Sequence, residues 1–259
     1  MLAIGGLSGG AVLAADDPWV RWDWVSRHTD TIAAAARQHV ELTAIAIAIG
    51  LVLSFPLALA ARRWRWTQTP ILSATGIVYT IPSLALFALL VPWTGLSRTT
   101  SEIGLVGYTL LILIRNIVAG LDAVPEEVRE AAEGMGFTRR RQLLRIELPL
   151  ALPAILAGVR IATVTTVGLV TVTALIGQGG LGQLILEGLT RDFRTPLVVG
   201  SVLSVALAAL ADLGLAGVER LATPWATAQR TDRPRRGRTA EPSGSAGSER
   251  GRRAGTGGT

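Results

Sequence analysis

Charged residues punctuate the chain at long intervals, and the intervals predict its elements. Between Glu41 and Arg62 the twenty residues Leu42–Ala61 carry no charge. A helix crossing the ~30 Å hydrocarbon core of a bilayer needs about 20 apolar residues, so this run predicts span one. Trp66–Ser97 is uncharged for 32 residues, with its apolar centre at Ile71–Val91, and predicts span two. Ile103–Leu121, interrupted by Arg115, predicts span three, and Ala154–Ile176, interrupted by Arg160, span four. Thr195–Val218, with Asp212 near its end, predicts span five. No stretch alternates apolar and polar positions, so helices rather than a barrel must satisfy the backbone in lipid. The pattern is that of an all-α integral membrane protein with five transmembrane helices.

The two ends read differently. Met1–Ala15 is apolar but rich in glycine, has no positive residue ahead of it, and ends near Val12-Leu13-Ala14, which resembles a signal-peptidase site. A remnant signal, a sixth helix and a misassigned start all fit. Asp17-Pro18 reads as a helix start. Trp19, Trp22 and Trp24 then place three indoles within two turns, as in an outer-interface helix with an aromatic belt. From about Ala226 the chain is Arg, Gly, Ser, Thr and Pro with almost no large apolar residue, and is expected to be disordered. These boundaries divide the chain into an extracytoplasmic or interfacial segment 1–39, a membrane domain 40–225 and a basic tail 226–259.

Composition agrees. Hydrophobic residues make up 49% and charged residues 17%, with mean hydropathy +0.44, against the usual quarter charged in a soluble domain. There is no cysteine, and His28 and His39 are the only histidines, so neither thiolate chemistry nor a metal site is indicated. No catalytic constellation and no cofactor fingerprint is present. The net charge is +6, carried by 25 arginines without a lysine. Eight of those arginines, against three acids, lie in residues 226–259, so the basicity marks the tail and not a nucleic-acid surface. Attraction of that tail to anionic lipid headgroups fits as well as simple solvation does.

Arginine asymmetry sets the orientation. With 62–70 placed inside, the segments 62–70, 122–153 and 219–259 hold three, five and nine arginines, while 1–41, 93–102 and 177–195 hold three, one and two. The N-terminus is therefore expected outside and the C-terminus in the cytoplasm. Arg115 and Arg160 then fall near cytoplasmic ends, where they can snorkel toward headgroups, pack between helices or serve a gate. Asp212 also lies toward the inside, solvated or paired. Pro82 stands mid-span, where it kinks a continuous helix; Tyr79, Thr80 and Ser83 beside it could line a translocation path or merely pack. Phe55, Tyr79, Phe87 and Tyr108 are the aromatics deep in the spans and form no obvious cage for a quaternary ammonium.

The segment Asp122–Pro153 is built unlike a passive connector. Pro125-Glu126-Glu127 opens a short helix, with acids at its positive dipole end. Val128, Ala131 and Ala132 give that helix a small apolar face, and Gly134 and Gly136 end it. Thr138 can cap a second helix bearing Arg139, Arg140, Arg141 and Arg145, closed by Pro149 and Pro153. Such a pair of helices is either a docking element or an interfacial hairpin.

Here a resemblance enters. Glu130-Ala131-Ala132, then Gly136, then Ile146-Glu147-Leu148-Pro149, fits E-A-A-x3-G-x9-I-x-L-P at all seven fixed positions of a twenty-residue frame. This resembles the EAA loop of ABC importer permeases. Tyr79-Thr80-Ile81-Pro82-Ser83-Leu84-Ala85-Leu86 resembles the T-I-P-S-L-A-L segment of the osmoprotectant branch, which serves glycine betaine, choline and carnitine import. Ile114-Arg115-Asn116 resembles the end of that branch's third span. Ala174-Leu175-Ile176-Gly177-Gln178-Gly179-Gly180-Leu181-Gly182 resembles a glycine turn shared with methionine and phosphonate permeases. The resemblance covers about Val40–Trp225. It implies a type 1, methionine-permease-like importer subunit that is not itself an enzyme. Its partners would be a separate ATP-binding subunit, a second permease copy or related permease, and an extracytoplasmic substrate-binding protein, all at the cell membrane. It further implies a coupling role for Glu130, Ala131, Ala132, Gly136, Ile146, Leu148 and Pro149. Tyr79, Thr80, Pro82, Ser83, Arg115 and Asn116 are candidates for the translocation path. The chain carries no G-x-x-x-x-G-K-[ST], so ATP hydrolysis is expected elsewhere. A secondary transporter would want midplane acids and a paired repeat, and neither is found; a non-transporting scaffold that recruits a soluble partner is the third reading.

Overall fold

The computed structural model describes residues 19–224. The apolar N-terminal stretch, the Asp17-Pro18 start and the basic tail lie outside the described residues. Those described are helical, with α1 Trp22–Arg27, α2 Thr29–Arg63, α3 Arg65–Thr80, α4 Ser83–Thr94, α5 Arg98–Asp122 and α6 Glu126–Gly134 in order. α7 Arg139–Gln142 runs through a π-helical turn, Leu143–Glu147, into α8 Leu148–Val172 and a 3₁₀ turn, Thr173–Ile176. α9 Leu181–Thr190 and α10 Arg194–Ala222 follow. α2, α5, the helix from Arg139 to Ile176, and α10 are each long and apolar enough to cross a membrane, and α3 with α4 make a fifth, bent passage.

Two layers of ion pairs mark the ends of this bundle. At one end Arg62 pairs with Asp122 at 3.1 Å and with Glu147, joining α2, α5 and the start of α8. At the other, Arg98 reaches Glu41 at 3.4 Å, and Glu41 also holds Arg37 at 3.0 Å. Glu41 and Arg62 bracket about 31 Å of helix at 1.5 Å per residue, which matches the hydrocarbon thickness. Segments expected on one side of the membrane therefore meet at one end of the bundle.

α5 is the centre. Its Ile114, Ile117 and Leu121 pack with Ala58 and Ala61 of α2 and Ala151 of α8, all buried. Leu105 packs with Leu42 of α2 and Phe87 of α4. With lipid as apolar as leucine, such contacts hold through close van der Waals fit between small residues. Gly158 of α8 illustrates it: a Cβ there would lie 2.4 Å from Cβ of Asn116 on α5.

The structure corrects the sequence reading in four places. Pro82 does not kink a continuous helix. Ile81 and Pro82 are both extended, with ψ of 129° and 133°, and the axes of α3 and α4 differ by 98°. The residue before a proline is pushed out of the helical region, so the helix stops rather than bends. Second, the helix after Thr138 is not closed by Pro149 and Pro153 but runs on into α8, and Thr138 makes no side-chain cap. The widened π turn falls where the ring of Pro149 would otherwise drive into the Arg145 carbonyl. Third, the 177–195 connection contains α9, whose buried Leu181 and Leu184 dock it. Fourth, residues 19–21 are not helical, so Trp19 stands outside α1, which carries Trp22 and Trp24. Trp24 stacks on His28 at 4.3 Å and meets the Phe193 edge at 5.7 Å, while Trp19 and Trp22 remain exposed.

Candidate functional site

α6 opens after Pro125, with Glu126 and Glu127 in its first turn as expected. It ends through a tight turn in which Phe137 N–H donates to Ala132 O at 3.1 Å and Gly136 N–H to Glu133 O at 2.9 Å. Gly136 has φ +79°, a conformation that favours glycine. The helix has two faces. Glu127, Glu130, Ala131 and Gly134, at i, i+3, i+4 and i+7, are exposed. Ala132 is wholly buried, with Val128 and Arg129 partly buried beside it. Ala131 and Ala132 thus do not share one docking face: one is presented, the other anchors.

The anchoring face is wired to the spans. Arg129 donates to Glu126 at 2.8 Å and to the carbonyl of Leu121, at the end of α5, at 2.8 Å. Such a contact satisfies a C-terminal carbonyl and complements the helix dipole. Ile146, Leu148 and Pro149 stand away from the presented face, on the π turn and first turn of α8. Leu148 packs under the Ile114–Ile117–Leu121 cluster. Between them Glu147, buried, holds Arg62. The sequence reading left Glu147 and Arg129 out of the site. An acid between two apolar positions of the frame is the signal that could have drawn attention to Glu147.

The α3–α4 break is a separate region. Tyr108 of α5 donates its hydroxyl to the carbonyl of Ile81. Tyr79 meets Tyr108 edge-on at 5.9 Å and is itself 40% exposed. Thr80 and Pro82 are exposed, and Ser83 half-buried. Arg115 and Asn116 make no hydrogen bond or ion pair with this group among the described residues. Arg115 is exposed on α5, and Asn116 donates to Ile112 O at 2.8 Å while packing on Gly158. Of the roles open to Arg160, snorkelling, packing or gating, the structure shows packing between helices: it clasps α10. It donates to both oxygens of Asp212 at 3.0 Å and to Glu219 at 3.0 Å. Among the described residues, no cluster of metal-ligating side chains occurs.

A family profile described as "Binding-protein-dependent transport system inner membrane component" matches residues 42–223. The chain belongs to that family. It is a permease subunit of an ABC importer. Similar proteins include the osmoprotectant import permease protein OsmW of Salmonella typhimurium, 34% identical over 198 residues, covering 74% of this chain and 92% of that one. The glycine betaine/carnitine/choline transport system permease protein OpuCB of Bacillus subtilis is 35% identical over 60% of this chain and 71% of its own length. The ergothioneine transport permease/ergothioneine binding protein EgtU of Helicobacter pylori is 43% identical over 142 residues, which is 26% of that longer protein. Among solved structures, an inward-facing MetNI methionine ABC transporter superposes with TM-score 0.68 at 20% identity, covering 76% of this chain and 98% of that one. That likeness establishes the type 1 importer permease fold and carries no inference about substrate.

Proposed function

We propose that this permease subunit imports an osmoprotectant such as glycine betaine, choline or carnitine, and that α6 couples it to a separate ATP-binding subunit. The presented face of α6 carries the coupling reading. Glu130 and Ala131 are exposed, Ala132 and Arg129 tie the helix to the bundle, and Gly136 fixes its exit. A push on that face is relayed through Arg129 to the end of α5, where Arg62 of α2 holds Asp122 and, beyond it, Glu147. ATP-driven closure of two ATPase subunits would then rock this permease against a second copy or a related permease, a rigid-body change of access.

The osmoprotectant reading rests on the names of the Salmonella and Bacillus relatives and on the T-I-P-S-L-A-L segment. Tyr79, Thr80, Pro82 and Ser83 at the helix break supply polar and aromatic lining for the path. With so few aromatics there, selection falls largely to an extracytoplasmic binding protein. Ergothioneine is a second reading, favoured by the 43% identity of the Helicobacter relative. Uptake of radiolabelled betaine, choline, carnitine and ergothioneine in a strain lacking other importers separates the two. The coupling loop has its own test. Ala131→Trp, on an exposed position, and Gly136→Val, which resists φ > 0, should leave the subunit inserted and abolish uptake. ATPase co-purification and substrate-stimulated ATP hydrolysis should fall together. Unchanged values for both variants would reduce α6 to a passive hairpin.

In the cytoplasmic membrane the N-terminus is placed outside and α6 inside, on the arginine asymmetry. The chain has no native cysteine, so a cysteine at Thr67 can be probed cleanly. An impermeant thiol reagent should label it only after the cells are opened; labelling in intact cells would invert the orientation.

A further inference from the structure

Behind α6, on the face turned away from the one presented to the ATPase in the reading above, lies a recess of about 560 Å³. Arg62 and Arg63 of α2, Arg129 of α6, and Arg139 and Arg140 of α7 line it. Two carboxylates, Glu133 and Glu147, share the walls. Glu147 is already committed to Arg62. Arg63, Arg139 and Arg140 have no hydrogen bond or ion pair among the described residues. Arg129 has a buried Nε with no hydrogen-bond partner. Arg62 and Arg129 have acids of their own, which leaves three guanidiniums against the single carboxylate of Glu133; such an excess repels itself unless an anion lies among them.

The recess is also two-sided. Leu59, about one turn into the span from Arg63, and Leu143 of the π turn form an apolar wall. The Arg62–Asp122–Glu147 layer, which marks the edge of the hydrocarbon, passes through it. A cationic wall over an apolar one at membrane depth fits a molecule with an anionic phosphate head and acyl chains. We propose that this recess holds the headgroup of an anionic phospholipid, with Arg63, Arg139 and Arg140 on the phosphate, and that the lipid braces the back of α6. Arginine suits the role, since its planar fork binds phosphate oxygens in pairs.

The test is native mass spectrometry of the whole importer, purified with its ATPase and reconstituted with phosphatidylglycerol or phosphatidylcholine. The wild type should keep phosphatidylglycerol through delipidation and lose phosphatidylcholine. The triple variant Arg63→Gln, Arg139→Gln, Arg140→Gln should weaken retention by roughly fivefold per arginine, about a hundredfold together. The matching triple Lys variant should restore much of it, and Arg27→Gln with Arg191→Gln, on exposed pairs elsewhere, should change nothing. Equal retention of the two lipids, or retention that ignores the triple Gln variant, overturns the proposal. So does displacement of the lipid by inorganic phosphate at equal concentration, which would make soluble phosphate the ligand. Loss of the ATPase from the triple variant with lipid retained would assign the arginines to the ATPase instead. None of these readouts depends on which substrate is carried, so their failure leaves the transport reading untouched.

Discussion

α5 and α10 are both long apolar helices, yet they are held in opposite ways. In the most apolar stretch of α5, 61% of residues are buried, against 11% in α10. α5 meets its neighbours through close contacts. Gly158 of α8 leaves no room for a Cβ beside Asn116, and Gly104 leaves none beside Phe87, 2.4 Å away. α10 has Gly214 and Gly217 with nothing within 4 Å of where a Cβ would stand, and Val205, Leu210, Leu213 and Leu221 exposed. α10 is fixed on one side only: its first turns pack closely on α9, where a Cβ on Gly188 would lie 2.5 Å from Leu197, Leu215 packs against Val159 and Ala162 of α8, and Arg160 clasps Asp212 and Glu219. α5 is enclosed by close contacts on most of its surface; α10 is held along one face and bare on the other. This is the division expected if α5 carries force from the coupling loop while α10 keeps a surface for lipid or a second permease.

The largest expected effect comes from spoiling the fit at α5. Gly158→Leu would place a branched side chain where even a Cβ meets Asn116 at 2.4 Å. Overpacking of this kind costs about 3 kcal/mol or more when the neighbour is a backbone-near atom that cannot rotate away. The variant should aggregate or melt well below wild type in a detergent thermal-shift assay. Retention of the wild-type midpoint would mean that the α5–α8 crossing is looser than described.

Next comes the clasp. Arg160→Gln removes one cation from two carboxylates that sit 52 and 59 residues away in sequence. Breaking one partner of a partly buried pair leaves the others uncompensated and is worse than never having had the pair. The melting midpoint should fall, by less than in Gly158→Leu but by clearly more than in Arg37→Gln, whose helical pair is exposed. Arg160→Lys should recover part of the loss. If Arg160→Gln and Arg37→Gln melt alike, α10 is held by its apolar packing on α8 and α9 and the clasp adds nothing.

The same contrast explains what the sequence could reveal. Charge-free runs located α2, α5, α8 and α10 because lipid excludes charge along a whole helix, a local property. Pro125, Gly134 and Gly136 located the limits of α6 because helix ends are also local. The Arg160 clasp was invisible as a pairing, since nothing near Arg160 names Asp212 or Glu219. The separation of Ala131 from Ala132 needed the bundle against which α6 docks. The break at Ile81-Pro82 was visible as a proline but not as a 98° bend, whose end places the Ile81 carbonyl against the distant Tyr108 hydroxyl. The helix running through Pro149 was missed because a π turn absorbs the clash that usually ends a helix there.

The smallest effect is the most discriminating about α10. Gly217→Ala adds a methyl group into open space on a helix interior. Taken alone it should stabilise the helix, by at most about 1 kcal/mol, because alanine has less backbone freedom to lose. The midpoint of the purified subunit should therefore hold or rise slightly, the opposite sign from Gly158→Leu. Gly217→Leu should be tolerated equally well by the isolated subunit, since no atom of this chain stands in the way. Measured on the assembled importer, the two substitutions part company. If the bare face of α10 meets only lipid, both variants keep their second permease through size-exclusion chromatography, as acyl chains rearrange around a new side chain. If the second permease packs there, the leucine opens a helix crossing that a glycine had allowed to close, and the complex dissociates while the subunit remains folded. Our expectation is the first outcome, because the Arg160–Asp212–Glu219 clasp already fixes the helix from within its own chain.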